Sequence, residues 1–157
     1  PDAASYDERR IKSNDRGCVL KISTVNGTAM IPADIERRGE RMLLEHAAAV
    51  LRAEVLIAPH HGSRTSSSAA FVAAVAPQVV IYPVCYRNAF RHPHPDVVAR
   101  YQTLGSTQYR TDAGGAIRFE LGGAQPLTVA RYRDYYARYW HAPRPGGPAD
   151  EGVSVEW

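Results

Sequence analysis

The chain has 157 residues, 45% of them hydrophobic and 22% charged, with a net charge of +3 and an isoelectric point near 9.0. That length supports one domain with a buried core. The apolar share excludes a disordered segment, and no apolar run reaches the roughly 18–20 residues that cross a bilayer. Arginine supplies nearly all the positive charge, with lysine only at positions 12 and 21. Guanidinium is the better phosphate ligand, and the mild basicity is compatible with a polyanionic partner. The first residue is Pro1 rather than methionine, which reads as a fragment of a longer protein; such a fragment would have lost any signal peptide.

In chain order, residues 1–17 are polar and irregular. Cys18 to Ser23 alternates as a half-buried strand does, and Cys18 reads as a buried thiol, since no framework pattern pairs it with Cys85. Asn26-Gly27 predicts a tight hairpin turn with two positive φ angles. The return strand, Thr28 to Pro32, delivers Asp34 just past its end. Glu36 to Leu51 carries Met42, Leu43, Ala47, Val50 and Leu51 at helical spacing, with Gly39 a weak point. A strand over 54–58 leads into Pro59-His60-His61-Gly62-Ser63. Thr65, Ser66 or Ser67 can cap a helix that runs to Val75, and Pro77 stops it. A strand over 78–84 leads to Arg91-His92-Pro93-His94-Pro95. Pro95 fits the first turn of a helix ending near Leu104. A strand at 107–110, a turn at 112–115 and a strand at 116–121 follow. The segment from Leu127 to Trp140 comes next, and Pro, Gly and acidic residues from Pro143 read as a loose tail. The domain is placed at residues 1–142 and the tail at 143–157.

Strand, helix, strand, helix, strand is an α/β pattern. In such sheets, function gathers in the loops beyond the carboxyl ends of the strands. Asp34, His60, His61, His92 and His94 all fall in loops of that kind, and these hold four of the six histidines. A carboxylate and imidazoles together can hold a divalent ion such as zinc or manganese and activate its water. The same histidines can equally cap helices and satisfy loop backbone. His92 and His94 can be ligands, acid catalysts or substrate contacts, on a segment stiffened by two prolines. Arg87 and Arg91 flank His92 and can face a phosphodiester. Ser63, Thr65, Ser66, Ser67 and Ser68 precede a helix amino terminus, where hydroxyls and free amides attract phosphate; capping explains one of them. Tyr132, Tyr135, Tyr136 and Tyr139 recur at helical spacing. They can stack on bases, but an amphipathic helix packing its tyrosine face on the core is the preferred reading.

Several stretches in one consistent order carry a resemblance. They are Ser13-Asn14-Asp15-Arg16-Gly17-Cys18-Val19-Leu20, Met30 to Glu36, Val55 to Ser68, Tyr86 to Arg100, and Tyr109 to Asp112 with Gly115-Ala116-Ile117. Together they resemble the ComEC family, inner-membrane channel proteins for DNA uptake in natural competence, within its C-terminal metallo-β-lactamase-like domain. The resemblance covers roughly residues 10–120. It implies the carboxyl-terminal half of a metallo-β-lactamase-like αββα sandwich, placed on the periplasmic side and degrading the DNA strand that is not imported. By the same resemblance, Asp34 matches the acidic metal ligand ending the family's Thr-Gly-Asp motif. His60 or His61 matches the ligand on the following strand, and His92 matches the histidine of its Gly-His-Pro motif. Pro32-Ala33 replaces Thr-Gly, Gly17 replaces serine and Arg91 replaces glycine. The family's His-x-Asp-x-Asp-His motif is absent and is expected upstream of Pro1.

The resulting expectation is a metal-dependent nuclease or phosphodiesterase domain that is inactive as this piece alone. Asp34 and His60, the favoured histidine of the pair, would hold metal, with His61 as the alternative. His92 and Ser63 would act at the phosphodiester, and Arg87, Arg91 and His94 would contact substrate. DNA and the remainder of the channel protein are the expected partners. The rival expectation is a DNA-binding or interaction module without catalysis. A half-sandwich also predicts an exposed sheet face, covered by a second copy in a homodimer or by the tail.

Overall fold

A computed structural model describes residues 12–121, 127–136 and 138. At its centre is a five-stranded sheet in the order β1 (Leu20–Thr24), β2 (Gly27–Ile31), β3 (Val55–Ile57), β4 (Val79–Tyr82) and β5 (Thr107–Arg110). β1 and β2 form an antiparallel hairpin, whereas β2 to β5 run parallel. Parallel neighbours need crossovers, supplied by α1 (Arg37–Ala47), α2 (Ala69–Val75) and α3 (Pro95–Leu104). This is the α/β fold that the alternation predicts, and it sets the loops after β2, β3 and β4 along one edge.

Alternation along the strands sorts side chains onto two faces. Met30, Leu56, Val80 and Tyr82 pack beneath the helices, against Leu43 and Leu44 of α1, Phe71, Val72 and Val75 of α2, and Val97 and Tyr101 of α3. Ala29, Val55, Val79 and Ile81 form the other face. The expectation that this face lies open is corrected. After β5 the chain passes through a short turn of helix, α4 (Thr111–Gly114), and returns as a second hairpin of β6 (Ile117–Phe119) and β7 (Val129–Arg131). Ile117, Phe119, Leu121, Leu127 and Val129 cover the face, leaving Val55 at 0% exposure. The tail from residue 143 lies outside the described residues.

Four local expectations are also corrected. The β1–β2 loop is Val25-Asn26, because Gly27 already pairs with Thr24, and neither loop residue has positive φ. The Thr24 hydroxyl closes the turn by accepting the Asn26 N–H at 3.3 Å and donating to the Gly27 carbonyl at 3.0 Å. Gly27 lies beneath the second hairpin, where a Cβ would sit 3.3 Å from Leu121 Cδ2. The helix expected to reach Leu51 ends at Ala47, and a 3₁₀ turn over Ala48–Val50 swings Leu51 into the core and Val50 out to solvent. The cap of α2 is Ser68, whose Oγ accepts the Phe71 N–H, because Ser66 and Ser67 are committed elsewhere. Cys18 is exposed, as is Cys85, and the strand that follows Cys18 is a largely exposed edge strand rather than a half-buried one.

The tyrosine segment does not form the expected amphipathic helix. Among the described residues the helix is a single turn, α5 (Tyr132–Tyr135). Tyr132, Tyr135 and Tyr136 stay 39–40% exposed rather than packing on the core. Tyr132 and Tyr136 stack on each other at 4.7 Å. Tyr139 and Trp140 lie outside the described residues.

Candidate functional site

The carboxyl-terminal edge of β2, β3 and β4 gathers Asp34, His60, His61, His92 and His94. Their loops are held in costly backbone conformations. Ala33, His60 and His61 take φ of 53, 48 and 57°, a region that non-glycine residues occupy only where the surroundings over-determine it. Ala33 occupies the position where the ComEC resemblance has glycine, and it keeps a left-handed turn there. The His60 N–H donates to the Ala33 carbonyl at 3.0 Å, which ties the first two loops together. The His94 N–H donates to the Gly62 carbonyl at 2.8 Å, which ties the second to the third. Gly62 has φ +81°, and a Cβ there would lie 2.7 Å from Pro93 Cβ and 2.8 Å from the Tyr82 ring. Only glycine permits that contact.

His61, rather than the favoured His60, is the histidine that meets Asp34. Its Nδ1 lies 2.9 Å from the Pro83 carbonyl, and its Nε2 lies 3.5 Å from Asp34 Oδ1. A carbonyl on one ring nitrogen fixes tautomer and orientation, the arrangement that commonly supports a ligating histidine. Both side chains are about half exposed. His60 instead faces Glu36 Oε1 at 3.7 Å, Thr65 Oγ1 at 3.4 Å and Asn14 Nδ2 at 3.5 Å. The Lys12 ammonium beside Glu36 holds that carboxyl below its usual range.

His92 stands between the two sides of the edge. Its ring is 5.9 Å from that of His60 and stacks on Phe90 at 5.8 Å, 16° from parallel. Asn88 clamps its backbone, accepting the His92 N–H at 2.7 Å and donating to its carbonyl at 3.0 Å. Burial, with His60, His61 and His94 nearby, pushes its imidazole below the ordinary value and favours the neutral ring. His94 caps α3, its Nδ1 accepting the Asp96 N–H at 3.2 Å. Arg87 and Arg91 are exposed with left-handed backbones, and the Arg87 guanidinium lies 5.2 Å over the Tyr86 ring.

The hydroxyl run is engaged within the loop. Ser63, 7% exposed, lies 3.1 Å from Thr65 Oγ1. Ser66 donates to the carbonyls of Pro59 and Ser63, and Ser67 accepts from the Tyr101 hydroxyl at 3.0 Å. Spacing alone does not reveal the group that organises them. Glu40 of α1 is fully buried, and its carboxylate accepts the backbone N–H groups of Ser67 and Ser68. Arg100 donates to the Ser67 carbonyl at 3.0 Å. Asp15 and Glu36 escape a reading by spacing for the same reason, that their partners lie 21–24 residues away; Asn88 acts locally, on the backbone of His92 four residues on. Asp15, Glu36 and Asn88 all lie within the stretches that carry the ComEC resemblance.

Among the described residues, no group of three or more His, Cys, Asp or Glu side chains is arranged to hold a metal ion. Asp34 and His61 offer two donors, whereas zinc or manganese sites take four or more ligands. By themselves these residues do not make a divalent-metal site. Among the described residues, no helix is long and apolar enough to cross a membrane.

No family model matches the chain. The chain is 32% identical over 134 residues to "Competence protein ComA" of Neisseria gonorrhoeae, covering 84% of this chain and 19% of that protein. It is 30% identical over 141 residues to "Uncharacterized protein YcaI" of Escherichia coli, covering 90% and 19%. It is 29% identical over 119 residues to "ComE operon protein 3" of Bacillus subtilis, covering 76% and 14%. The competence protein and the ComE operon protein are ComEC family members, and this chain belongs to that family. It spans less than a fifth of the length of each relative.

Proposed function

We propose that this chain serves DNA uptake in natural competence. In this reading it is part of a longer inner-membrane channel protein and forms one wall of a phosphodiesterase site on the periplasmic side. The observation that carries the reading is the Asp34–His61 pair, with Nε2 and Oδ1 at 3.5 Å and His61 locked from behind by Pro83. The relatives named for competence support the context. Zinc or manganese is then a shared cofactor, with two donors from this chain and the rest from elsewhere in the longer protein. His60 and His92 offer ring nitrogens to phosphate oxygens, and Arg87 and Arg91 offset phosphate charge. A groove lined by the cations Lys12, Arg37, Arg38 and Arg41 and the carboxylates Asp15 and Glu36 reaches this edge through Glu36 and Thr65, both next to His60. Its excess of cations is compatible with a polyanion.

The test compares this chain with a version extended upstream through the missing portion. Metal content is measured for both, and both are assayed on single-stranded DNA with manganese. Metal and cleavage only in the longer version are the expected result; neither in either version overturns the hydrolase. The second reading, a DNA-binding module without catalysis, is favoured by the lack of a third metal donor among the described residues. DNA binding that survives chelator, with a salt dependence of several phosphates, distinguishes it.

A further inference from the structure

The loop between β4 and α3 holds two exposed aromatic rings at the edge of the site. Phe90 is 81% exposed and Tyr86 59% exposed. One face of Phe90 rests on His92; the rest of the ring is in water, and no packing role accounts for its exposure. The ring is nevertheless preset. Asn88 pins His92 from both sides of its backbone, and Pro93 is buried against Gly62. Arg87 lies over Tyr86, and Arg91 follows Phe90 directly, so cations accompany both rings.

We infer that Phe90, backed by His92, is a nucleobase-stacking platform, assisted by Tyr86 and by Arg87 and Arg91. This rests on the phosphodiester reading above and adds the residue that holds an unpaired base. Aromatic faces beside cations hold unpaired bases with little regard to sequence, because every base offers a π-face. In a duplex those faces are already stacked on neighbouring pairs. The position of Phe90 against His92 sets the stacked base next to the imidazoles rather than at a remote anchor.

The test is fluorescence anisotropy on the whole chain in chelator, without metal. Three probes are compared: a single strand of about twelve nucleotides, its duplex, and an abasic strand of equal length and charge. The expected result is binding of the single strand about tenfold tighter than the abasic strand, with the duplex also weaker. Phe90→Ala is expected to erase most of that preference while leaving abasic binding unchanged, and Phe90→Trp to retain it. Thermal melting checks that the variants fold, which the exposure of Phe90 predicts. Equal binding of normal and abasic strands, no binding at all, or indifference to Phe90→Ala overturns the inference. So does a Phe90-dependent association with phosphatidylglycerol vesicles that exceeds the one with DNA, which would make the loop a membrane anchor. Cleavage by the longer protein is a separate readout: its failure alongside a Phe90-dependent preference removes the hydrolase and keeps the platform.

Discussion

Glu40 shows how one side chain without a sequence signature can organise a site. Its carboxylate takes the Ser67 and Ser68 N–H groups just ahead of α2, inside the loop that carries His60 and His61. Burial dominates its surroundings and raises the carboxyl above the ordinary 4.5, against the hydrogen bonds that pull it down. A pKa raised on folding means the folded state holds the proton more tightly. The stabilising contribution is complete below the unfolded value and is lost as pH rises through the folded one. Glu40→Gln removes that titration, so the stability of the native chain relative to the variant should fall as the pH rises above the ordinary carboxylate value. Urea unfolding of both below and above that value checks it, and a pH-independent difference would contradict it. At this scale, Asp34 and the histidines are legible because each ends a recognisable strand. Glu40 is not, because its partners lie 27 and 28 residues away.

Helix α1 shows the same division at the scale of an element. Its existence and its start are legible from the sequence, but the group that caps it is not, because no local side chain does so. Asp15 does so from outside, with Oδ1 accepting the Glu36 N–H at 2.7 Å and the Gly39 N–H at 3.1 Å. Gly39, a weak point by propensity, is required there, since a Cβ would come 2.9 Å from that oxygen. Asp15→Ala should cost about 1–2 kcal/mol, the usual worth of a cap. Chemical denaturation would measure this, and a loss under a few tenths would show that water replaces the carboxylate. Helix α3 is the contrast: Pro95 at its first turn and Gly105 in the left-handed cap are both sequence signals, and its bounds agree with the expected ones. The β1–β2 turn falls one residue before Asn26-Gly27 because Thr24, a strand residue, supplies the closing hydrogen bonds.

For the molecule as a whole, the order of strands and helices in the main sheet is legible because hydrophobic period and turn residues agree along the chain. The covering of the second face is not. β6 and β7 are three residues each, and no local pattern says on which side of a sheet a short hairpin will lie. The hairpin has an energetic role that can be tested. Phe119→Ser with Val129→Ser should uncover Val55, Val79 and Ile81, giving a chain that binds hydrophobic dye and associates in light scattering. A variant that stays dye-silent and unchanged in size would show that the face needs no cover. The contact of Gly62 with Pro93 and Tyr82 has a further consequence at this scale. It acts as a key in a keyway: His60 and His61 on one loop and His92 on the other cannot be re-spaced independently. The width between them is a fixed gauge: neither loop can widen the gap between these imidazoles without dragging the other along.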